Sequence, residues 1–316
     1  MTQDQNPKKT KPESAEGDPP GFPTASGFPL VRSLDLGAFR VHAIEAGLQR
    51  LDGGAMFGVV PRPLWERRIA PDARNRIPLA LRCLLVEAPE ALILVDTGVG
   101  NKGDDQFRRI YGIENEGDPA EGAPTRLELG IREAGHEPSD IDIVLMTHLH
   151  FDHAGGGTTR RDDGEIVPSF PGARYVVHEE EFRFAGSPNE RIRASYLSEN
   201  LEPISRYNLW DFVGTDAEIT GGLRLVHTPG HTPHHHSVLL ESGGERACFL
   251  ADLCPTTAHL PLPWIMGYDL EPLVTLESKR ETWERALHED WLLIFEHDPV
   301  IAWGRLAEDR RSLRGE

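Results

Sequence analysis

Short runs of apolar residues recur along the chain, and turn-forming residues separate them. Runs this short are typical of strands, because an amphipathic helix needs a longer segment in which apolar residues recur every three or four positions. In the first half the runs cover residues 39–46, 79–87, 91–95 and 141–146. In the second half they cover residues 174–177, 223–226, 237–240, 247–250 and 292–295. The pattern therefore predicts a protein with many β-strands.

Two longer segments have the apolar spacing of helices. The first follows Thr125, a residue type that caps helix N-termini, and stops at Gly135, a residue type that terminates helices. The second covers residues 273–288. Because groups of strands are followed by a helix twice, we predict two packed sheets with helices on their outer faces. No repeat of fixed period is visible, which excludes a solenoid.

The two ends of the pattern define the expected domain. Residues 1–27 combine Pro, Gly, Ser and Lys without apolar periodicity, so we expect a disordered tail there. Strand and helix signals continue through the rest of the chain, and we expect a single domain over residues 28–316.

Two connections, residues 48–78 and 254–269, are long for a compact domain. Such segments are usually functional lids or disordered, and the aromatic residues and methionines of these two favour the walls of a pocket. The alternative is that these side chains form a hydrophobic core beneath the loops. The candidate substrate-contacting residues are Met56, Phe57, Trp65, His259, Trp264, Met266 and Tyr268.

The composition removes several classes of partner. Asp and Glu number 51 against 33 Lys and Arg, which gives a net charge of −18. Because nucleic acids and anionic membranes are bound through clustered Lys and Arg, we expect neither as a partner. Three cysteines do not suggest a disulfide framework. No apolar segment has the length of a signal or membrane helix, so we expect a cytoplasmic protein.

The densest group of candidate chemical residues follows the 141–146 run. Residues 147–156 read THLHFDHAGG and contain the pattern HxHxDH, with His148, His150, Asp152 and His153. Imidazole and carboxylate are the ligands that zinc and similar metals prefer, whereas Ca²⁺ and Mg²⁺ require oxygen ligands. A chance cluster is the alternative, and only further ligands nearby would make this a site.

Three residues downstream supply those further ligands. His231, Asp252 and His297 each follow an apolar run. Because side chains at the ends of strands in one sheet meet at one edge, these three residues can lie beside the HxHxDH loop. The joint pattern therefore predicts a site for two metal ions.

The order of these motifs over residues 96–297 resembles the metallo-β-lactamase superfamily. Its closest resemblance is to the branch that hydrolyses acyl-homoserine lactones, which shares a THLHFDHAGG-type loop and an Asp in the position of Asp252. Methyl parathion hydrolase is a neighbour of that branch. The resemblance implies an α/β (α+β) protein with a four-layer αββα sandwich of two mixed sheets and outer helices.

The same resemblance implies a ligand set and a cofactor. His148, His150 and His231 would hold one ion, Asp152, His153 and His297 would hold the other, and Asp252 would bridge both. Asp96 and His235 would support the ligands without touching metal. We expect two divalent ions per chain, zinc first, with Mn, Fe or Co as alternatives. His234 and His236 are expected on the surface or in a loop.

The expected reaction is hydrolysis by a bridging hydroxide that attacks an ester-like carbonyl. Asp252 would hold the ions together, and Asp152 would relay a proton to the leaving alkoxide. The expected substrate is a small molecule, an acyl-homoserine lactone or a similar small lactone. The alternatives are an organophosphate or aryl-ester hydrolase of the same fold and a non-catalytic metal-binding or sensing protein. A homodimer is compatible with the sequence.

One position departs from the best-known lactonases. They carry a Tyr three residues after the bridging Asp, where it contacts the lactone carbonyl, and this chain has Pro255 there. Tyr268 or His259 is our hypothesis for the replacing hydrogen-bond donor, because both lie in the same loop.

Overall fold

Two large β-sheets make up most of the structure, a computed structural model that describes residues 23–115 and 123–315. The first sheet contains, in spatial order, β1 (Val31–Leu36), β2 (Phe39–Asp52), β3 (Arg76–Glu87), β4 (Leu92–Val95), β5 (Ile143–Leu145), β8 (Arg174–His178) and β9 (Trp210–Val213). The second contains β10 (Glu218–Thr220), β11 (Leu223–His227), β12 (His236–Ser242), β13 (Glu245–Phe249), β14 (Leu292–Ile294) and β15 (Trp303–Arg305). A separate hairpin is formed by β6 (Thr158–Arg160) and β7 (Ile166–Pro168).

Helices connect the strands and cover the sheets. They are α1 (Gly53–Phe57), α2 (Arg62–Trp65), α3 (Asp105–Tyr111), α4 (Arg126–Glu133), α5 (Phe151–Ala154), α6 (Glu179–Ala185), α7 (Ser198–Arg206) and α8 (Pro272–His288). The predicted start of α4 is confirmed: Thr125 and Glu128 form a reciprocal capping box, which satisfies two backbone N–H groups at the helix start. Helix α8 covers the predicted segment 273–288.

The layers are held together by three apolar clusters. The first lies between the sheets and joins residues such as Val41 and Val95 of one sheet to Leu225 and Val238 of the other. The second packs α4 and α7 on the outer face of the first sheet. The third packs α8, through Trp283, on the outer face of the second sheet. The predicted four-layer αββα arrangement is therefore confirmed.

Both sheets are mixed, and their strand directions bring the site residues to one edge. Strands β4, β5, β8 and β9 are parallel in the first sheet, and β13 and β14 are parallel in the second. Strand β11 runs the same way as β13, because both pair antiparallel with β12. The carboxyl ends of β4, β5, β11, β13 and β14 therefore lead into the segments that carry Asp96, His148, His231, Asp252 and His297.

Two residues at this edge have left-handed backbone conformations that are unusual for residues with a side chain. Asp96 has φ of 52° just after β4, and Ala251 has φ of 45° just after β13 and before Asp252. Such a conformation costs roughly 1–3 kcal/mol and is found mainly where the surrounding structure needs it. The strain therefore lies at the ends of the strands that carry candidate site residues.

The predicted connection 48–78 is wrong in its extent. Strand β2 continues to Asp52 and β3 begins at Arg76, and the two pair over most of their length beyond an irregularity between Glu45 and Leu48. Only the segment between them is a connection, and it contains α1 and α2. The charged Arg50 and the glycines around it hid the end of the strand from a purely apolar pattern.

The remaining expectations on organisation concern the termini and the cysteines. The expected tail, residues 1–27, falls largely outside the described residues, which begin at Pro23, and Ala25–Gly27 forms one 3₁₀ turn. Among residues 23–115 and 123–315, no helix combines the length and the apolar character needed to cross a membrane. Cys83, Cys248 and Cys254 are all buried free thiols.

Candidate metal centre

The HxHxDH loop is held in a tight path by its glycines. After His150 the chain forms the short helix α5 and then a 3₁₀ turn, Gly155–Gly157. A β-carbon on Gly155 would lie 2.3 Å from the carbonyl oxygen of Val99, and one on Gly156 would lie 2.1 Å from that of Thr97. Because neither contact is tolerable, only glycine lets this loop pack against the segment that follows β4.

Three imidazoles converge at the first part of the site. His148 Nε2 lies 3.1 Å from His150 Nδ1, and His231 Nε2 lies 3.1 Å from that same atom. All three side chains are buried. With Asp252 they form one group whose ligand atoms lie within 4.8 Å of one another.

A second group consists of Asp152, His153 and His297, and Asp252 lies between the two groups. Asp252 Oδ2 is 2.8 Å from His231 Nε2 and 3.6 Å from His153 Nε2. Its other oxygen, Oδ1, is 3.0 Å from His297 Nε2. The structure thus brings all seven sequence-predicted ligands together, in the two sets that the sequence predicted.

The donor atoms fit metal ions better than they fit hydrogen bonds to one another. Two nitrogens bound to one tetrahedral zinc at about 2.0–2.1 Å lie roughly 3.3 Å apart, close to the 3.1 Å spacings of His148, His150 and His231. One buried atom in the centre, His153 Nε2, has no hydrogen-bond partner among the described residues. Buried polar atoms normally have partners, so this arrangement favours bound cations.

The imidazoles of the site differ in their pKa: although burial lowers it, the carboxylate of Asp252 raises the pKa of His231 to about 10 and that of His297 to about 9. Burial, aided by the neighbouring imidazoles, holds the pKa of His148 and that of His150 well below the usual histidine value. Burial alone would raise the pKa of Asp252, but the adjacent His231 and His297 hold it well below the usual range. Because neutral imidazole and ionised carboxylate are the forms that bind metal, bound cations would take the place of the protons on His231 and His297.

Both predicted supporting residues contact the ligands or the loop that carries them. Asp96 accepts hydrogen bonds from the backbone N–H and the hydroxyl of Thr147, at 2.9 and 2.7 Å, and its Oδ2 lies 3.1 Å from His153 Nδ1. His235 accepts the backbone N–H of Asp252 on its Nε2 at 3.2 Å. Its other ring nitrogen lies 3.1 Å from the Thr228 carbonyl oxygen. His235 therefore orients the backbone of Asp252 and does not point at the metal groups.

Three buried carboxyl groups support the ligands without having been predicted. Asp269 Oδ1 lies 3.0 Å from His231 Nδ1. Glu296 Oε1 lies 3.1 Å from His153 Nδ1, on the same nitrogen as Asp96, and burial raises the Glu296 pKa to about 8. Glu181 accepts hydrogen bonds from Leu149 N–H, Tyr196 hydroxyl and Thr232 hydroxyl. Glu181 is the last of three consecutive acidic residues, 179–181, yet its side chain is buried.

The site geometry agrees with the outcome of a family comparison. Residues 77–289 match the profile of the Metallo-beta-lactamase superfamily. The chain belongs to this superfamily. Its fold and its family were both predicted from the sequence, and both predictions are confirmed.

Relatives within the superfamily include lactonases. An N-acyl homoserine lactonase from a Bacillus species is 30% identical over 227 residues, which cover 70% of this chain and 82% of that protein. A probable metal-dependent hydrolase from Staphylococcus aureus is 29% identical, with a TM-score of 0.82 over 89% of this chain and 97% of that one. AidC, a dizinc quorum-quenching lactonase, shares the fold at 18% identity, with a TM-score of 0.71 over 87% and 92% of the two chains.

A cavity of about 350 Å³ opens above the two groups of candidate metal ligands in this superfamily member. Its floor contains His150, Asp152, His231, Asp252 and His297. Its sides are mainly apolar, and its rim carries a few polar groups. These side and rim residues are Gln49, Leu51, Ala55, Met56, Leu79, Arg191, Ile192, Ser195, Met266, Gly267, Tyr268 and Leu270. Three predicted wall residues, Met56, Met266 and Tyr268, are therefore in place to contact a ligand.

The other four predicted wall residues lie behind the cavity. Phe57 stacks on His259 with ring centroids 4.3 Å apart and on Trp65 at 5.2 Å, and Trp264 meets Phe57 edge-on at 5.8 Å. None of these four lines the cavity. They form an aromatic cluster beneath the loops, which is the alternative that the sequence left open.

A buried lysine fixes the shape of the 254–269 loop. Lys279 of α8 donates hydrogen bonds to the carbonyl oxygens of His259, Pro261 and Trp264, the last two at 3.0 and 2.9 Å. Burial lowers the Lys279 pKa to about 8. Three carbonyls on one ammonium group make this cavity wall a fixed element of the structure.

One predicted surface histidine is buried. His236 begins β12, and its ring lies 4.8 Å from that of His178 and 5.0 Å from that of His227. His234, which is half-buried, stacks on His178 at 5.5 Å. These imidazoles form a cluster apart from the metal groups. The expectation of an exposed or loop position is therefore wrong for His236.

Proposed function

We propose that this protein is a binuclear metal-dependent hydrolase that opens N-acyl homoserine lactones. One observation carries the proposal: seven His and Asp side chains form two groups joined by Asp252, and five of the seven make the floor of a cavity whose sides are mainly apolar. The named lactonase relative supports the choice of substrate class. Membership of the superfamily supports the choice of hydrolysis.

The ligand assignment follows the two groups. His148, His150 and His231 would hold one divalent ion, and Asp152, His153 and His297 would hold the second. Asp252, which presents one oxygen to each group, would bridge them. Two such ions, of which zinc suits these ligands best, would supply Lewis acidity toward a carbonyl and a hydroxide nucleophile at neutral pH.

Asp152 is the residue that would move the proton. It lies on the cavity floor, and its Oδ2 accepts a hydrogen bond from Gln49 Nε2 at 2.5 Å. A carboxylate held in one orientation beside the scissile ester can accept the proton that the attacking water gives up and pass it to the leaving alkoxide. The alkoxide then leaves as the hydroxyl group of the opened homoserine.

Tyr268 would replace the missing tyrosine as the donor to the lactone carbonyl. It lines the cavity, whereas His259 is turned away, with Nε2 on the Met56 carbonyl and Nδ1 on the Thr256 hydroxyl. Burial, reinforced by Asp52, raises the Tyr268 pKa to about 12. The hydroxyl therefore keeps its proton at neutral pH and can donate it in a hydrogen bond.

The cavity and the charge favour a small neutral substrate. A volume of about 350 Å³ is at the small end of ligand pockets. Leu51, Met56, Leu79, Ile192 and Met266 give the cavity an apolar side that suits an acyl chain. The net charge of −18 disfavours polyanions such as nucleic acids.

A substrate panel tests the proposal. The purified protein is assayed with homoserine lactones of several acyl lengths, with aryl acetates and with a paraoxon-like phosphotriester. The proposal expects the highest kcat/KM on the lactones and its loss in Asp252→Asn, while Asp211→Asn, a surface change on β9, leaves it intact. A higher kcat/KM on the phosphotriester or on the aryl esters would show that the protein is instead an organophosphate or aryl-ester hydrolase. Failure on every substrate by the metal-loaded protein would favour a non-catalytic protein.

A further inference from the structure

Arg191 is the only lysine or arginine among the residues that line the cavity. It lies in the connection between α6 and α7, where its backbone N–H donates to Asn189 Oδ1 at 2.9 Å. Its Nη2 donates to the carbonyl oxygen of Gly267 at 3.3 Å. Because Gly267 belongs to the 254–269 loop, Arg191 connects two walls of the cavity mouth.

The guanidinium of Arg191 has no acidic partner among the described residues. Some other arginines of this acidic chain are ion-paired, for example Arg183 with Glu179 and Glu180, and Arg246 with Glu241. A guanidinium has five N–H donors, and the bond to Gly267 uses one of them. The cavity mouth therefore holds a cation whose remaining donors are free to bind a ligand.

The position of this cation suggests which part of a ligand it would meet. A lactone ring whose carbonyl lies at the metal groups would extend its acyl chain along the apolar side toward the mouth. Ile192, Met266 and Leu270 line that side, and Arg191 lies among them in the lining. A chain that carries oxygen atoms near its amide end could therefore reach the guanidinium.

We propose that Arg191 is a specificity-determining residue that selects homoserine lactones with a 3-oxo group on the acyl chain. This inference rests on the proposed lactonase function. The amide oxygen and the 3-oxo oxygen of such a chain can lie on the same side. They then form a pair of acceptors that suits the planar fork of a guanidinium. An acyl chain without the 3-oxo group offers only one of these acceptors.

A carboxylate would also match the guanidinium fork, but two features disfavour it. The protein carries a net charge of −18, which repels anions. An anionic group would also compete for the metal ions at the floor. A neutral pair of carbonyl oxygens avoids both problems, so the 3-oxoacyl chain is the better partner.

The competing explanation is that Arg191 only fastens the two walls through its bond to Gly267. In that case its loss would loosen the cavity for every substrate alike. Recognition, by contrast, would affect only the substrates that carry the second acceptor. The ratio of kcat/KM between two matched substrates therefore separates the two explanations.

The experiment compares N-(3-oxooctanoyl) and N-octanoyl homoserine lactone as substrates of the metal-loaded full chain. The variants are Arg191→Met, Arg191→Lys and the control Arg193→Met, an exposed arginine that does not line the cavity. We expect the wild type to prefer the 3-oxo substrate by about five- to tenfold, mostly through KM, as a charge-assisted hydrogen bond would produce. Arg191→Met should bring the ratio close to one, Arg191→Lys should leave part of it, and Arg193→Met should leave all of it.

Two results would overturn the inference while leaving the proposed function standing. One is a wild type that hydrolyses both lactones equally well. The other is a ratio in Arg191→Met equal to that of the wild type, even if both rates fall, since that outcome shows a purely structural tie. Hydrolysis of neither lactone by the wild type would instead overturn the proposed function, and the inference with it.

Discussion

Gln49 and Asp152 are joined by a short hydrogen bond, from Gln49 Nε2 to Asp152 Oδ2 at 2.5 Å. Gln49 belongs to β2 of the first sheet and is fully buried. Asp152 belongs to the HxHxDH loop, 103 positions away in the chain. The bond therefore uses a rigid strand to set the direction of a floor carboxylate that would both bind metal and relay a proton.

Replacement of Gln49 tests this orientation. In Gln49→Ala the carboxylate of Asp152 loses its donor, and we expect hydrolysis and affinity for the second metal ion to fall by about 10- to 100-fold. The same change at Gln106, an exposed residue of α3, is the control and should have no effect. Lactone kinetics and chelator competition provide the two measurements. Wild-type values for both in Gln49→Ala would show that the bond has no functional role.

Glu296 and Asp96 both face Nδ1 of His153, each at 3.1 Å. In Glu296→Gln the imidazole keeps Asp96 as its acceptor, so we expect only about tenfold weaker binding of the second ion. Asp96→Asn should weaken it more, because Asp96 also accepts two hydrogen bonds from Thr147. Competition with a metal chelator measures both variants. Equal losses of metal affinity in the two variants, or a larger loss in Glu296→Gln, would contradict the larger role that we assign to Asp96.

Tyr268→Phe removes the hydroxyl that we assign to the lactone carbonyl. Because the hydrogen bond strengthens as negative charge develops on the carbonyl oxygen, we expect kcat to fall by about 10- to 100-fold with little change in KM. Tyr207→Phe, an exposed tyrosine after α7, is the matched control. An unchanged kcat in Tyr268→Phe would remove Tyr268 from the reaction.

The cluster of His178, His227, His234 and His236 predicts a loss of stability in acid. Burial, with the neighbouring His227 and His178, lowers the His236 pKa to about 3. In the unfolded chain the pKa is about 6.5, so below that pH the unfolded state takes up a proton that the folded state refuses. The free energy of unfolding therefore falls as the pH drops from about 6.5 toward 3, by about 2 kcal/mol at pH 5 for this one group.

Urea unfolding of the metal-loaded protein at pH 7.5 and pH 5 measures this effect. His236→Gln should lose about 2 kcal/mol less than the wild type between these two pH values, because glutamine does not titrate. His288→Gln, at the exposed end of α8, should behave like the wild type. The same pH dependence in His236→Gln and wild type would mean that His236 takes up its proton without unfolding.

Much of the site could be predicted from the sequence because its ligands follow strands. His148, Asp252 and His297 come a few residues after β5, β13 and β14, and a strand end is visible as the end of an apolar run. The paired sheets then place these ends at one edge. Local pattern was also sufficient for α4, whose capping box is contained within four residues.

The supporting contacts could not be predicted, because they join residues that are far apart in the chain. In the sequence Gln49 looks like any polar residue of a strand, and only the folded structure brings β2 beside the HxHxDH loop. Glu181 lies in the first turn of α6 within an acidic run, and only the tertiary fold buries it against Tyr196 and Thr232. The wall residues failed for a related reason: an apolar residue in a loop gives no signal of which side of it faces the cavity. Phe57 and Met56 are neighbours, yet only Met56 lines the cavity.

The metal content of the protein tests the central claim most directly. Protein purified without any chelator is analysed for bound metal per chain and assayed for lactone opening before and after metal removal. The two groups joined by Asp252 predict about two transition-metal ions per chain, about one or fewer in Asp252→Ala that remains folded, and activity that chelation abolishes and added metal restores. Trace metal in the untreated protein, or lactone opening that survives complete metal removal, would contradict a binuclear hydrolase.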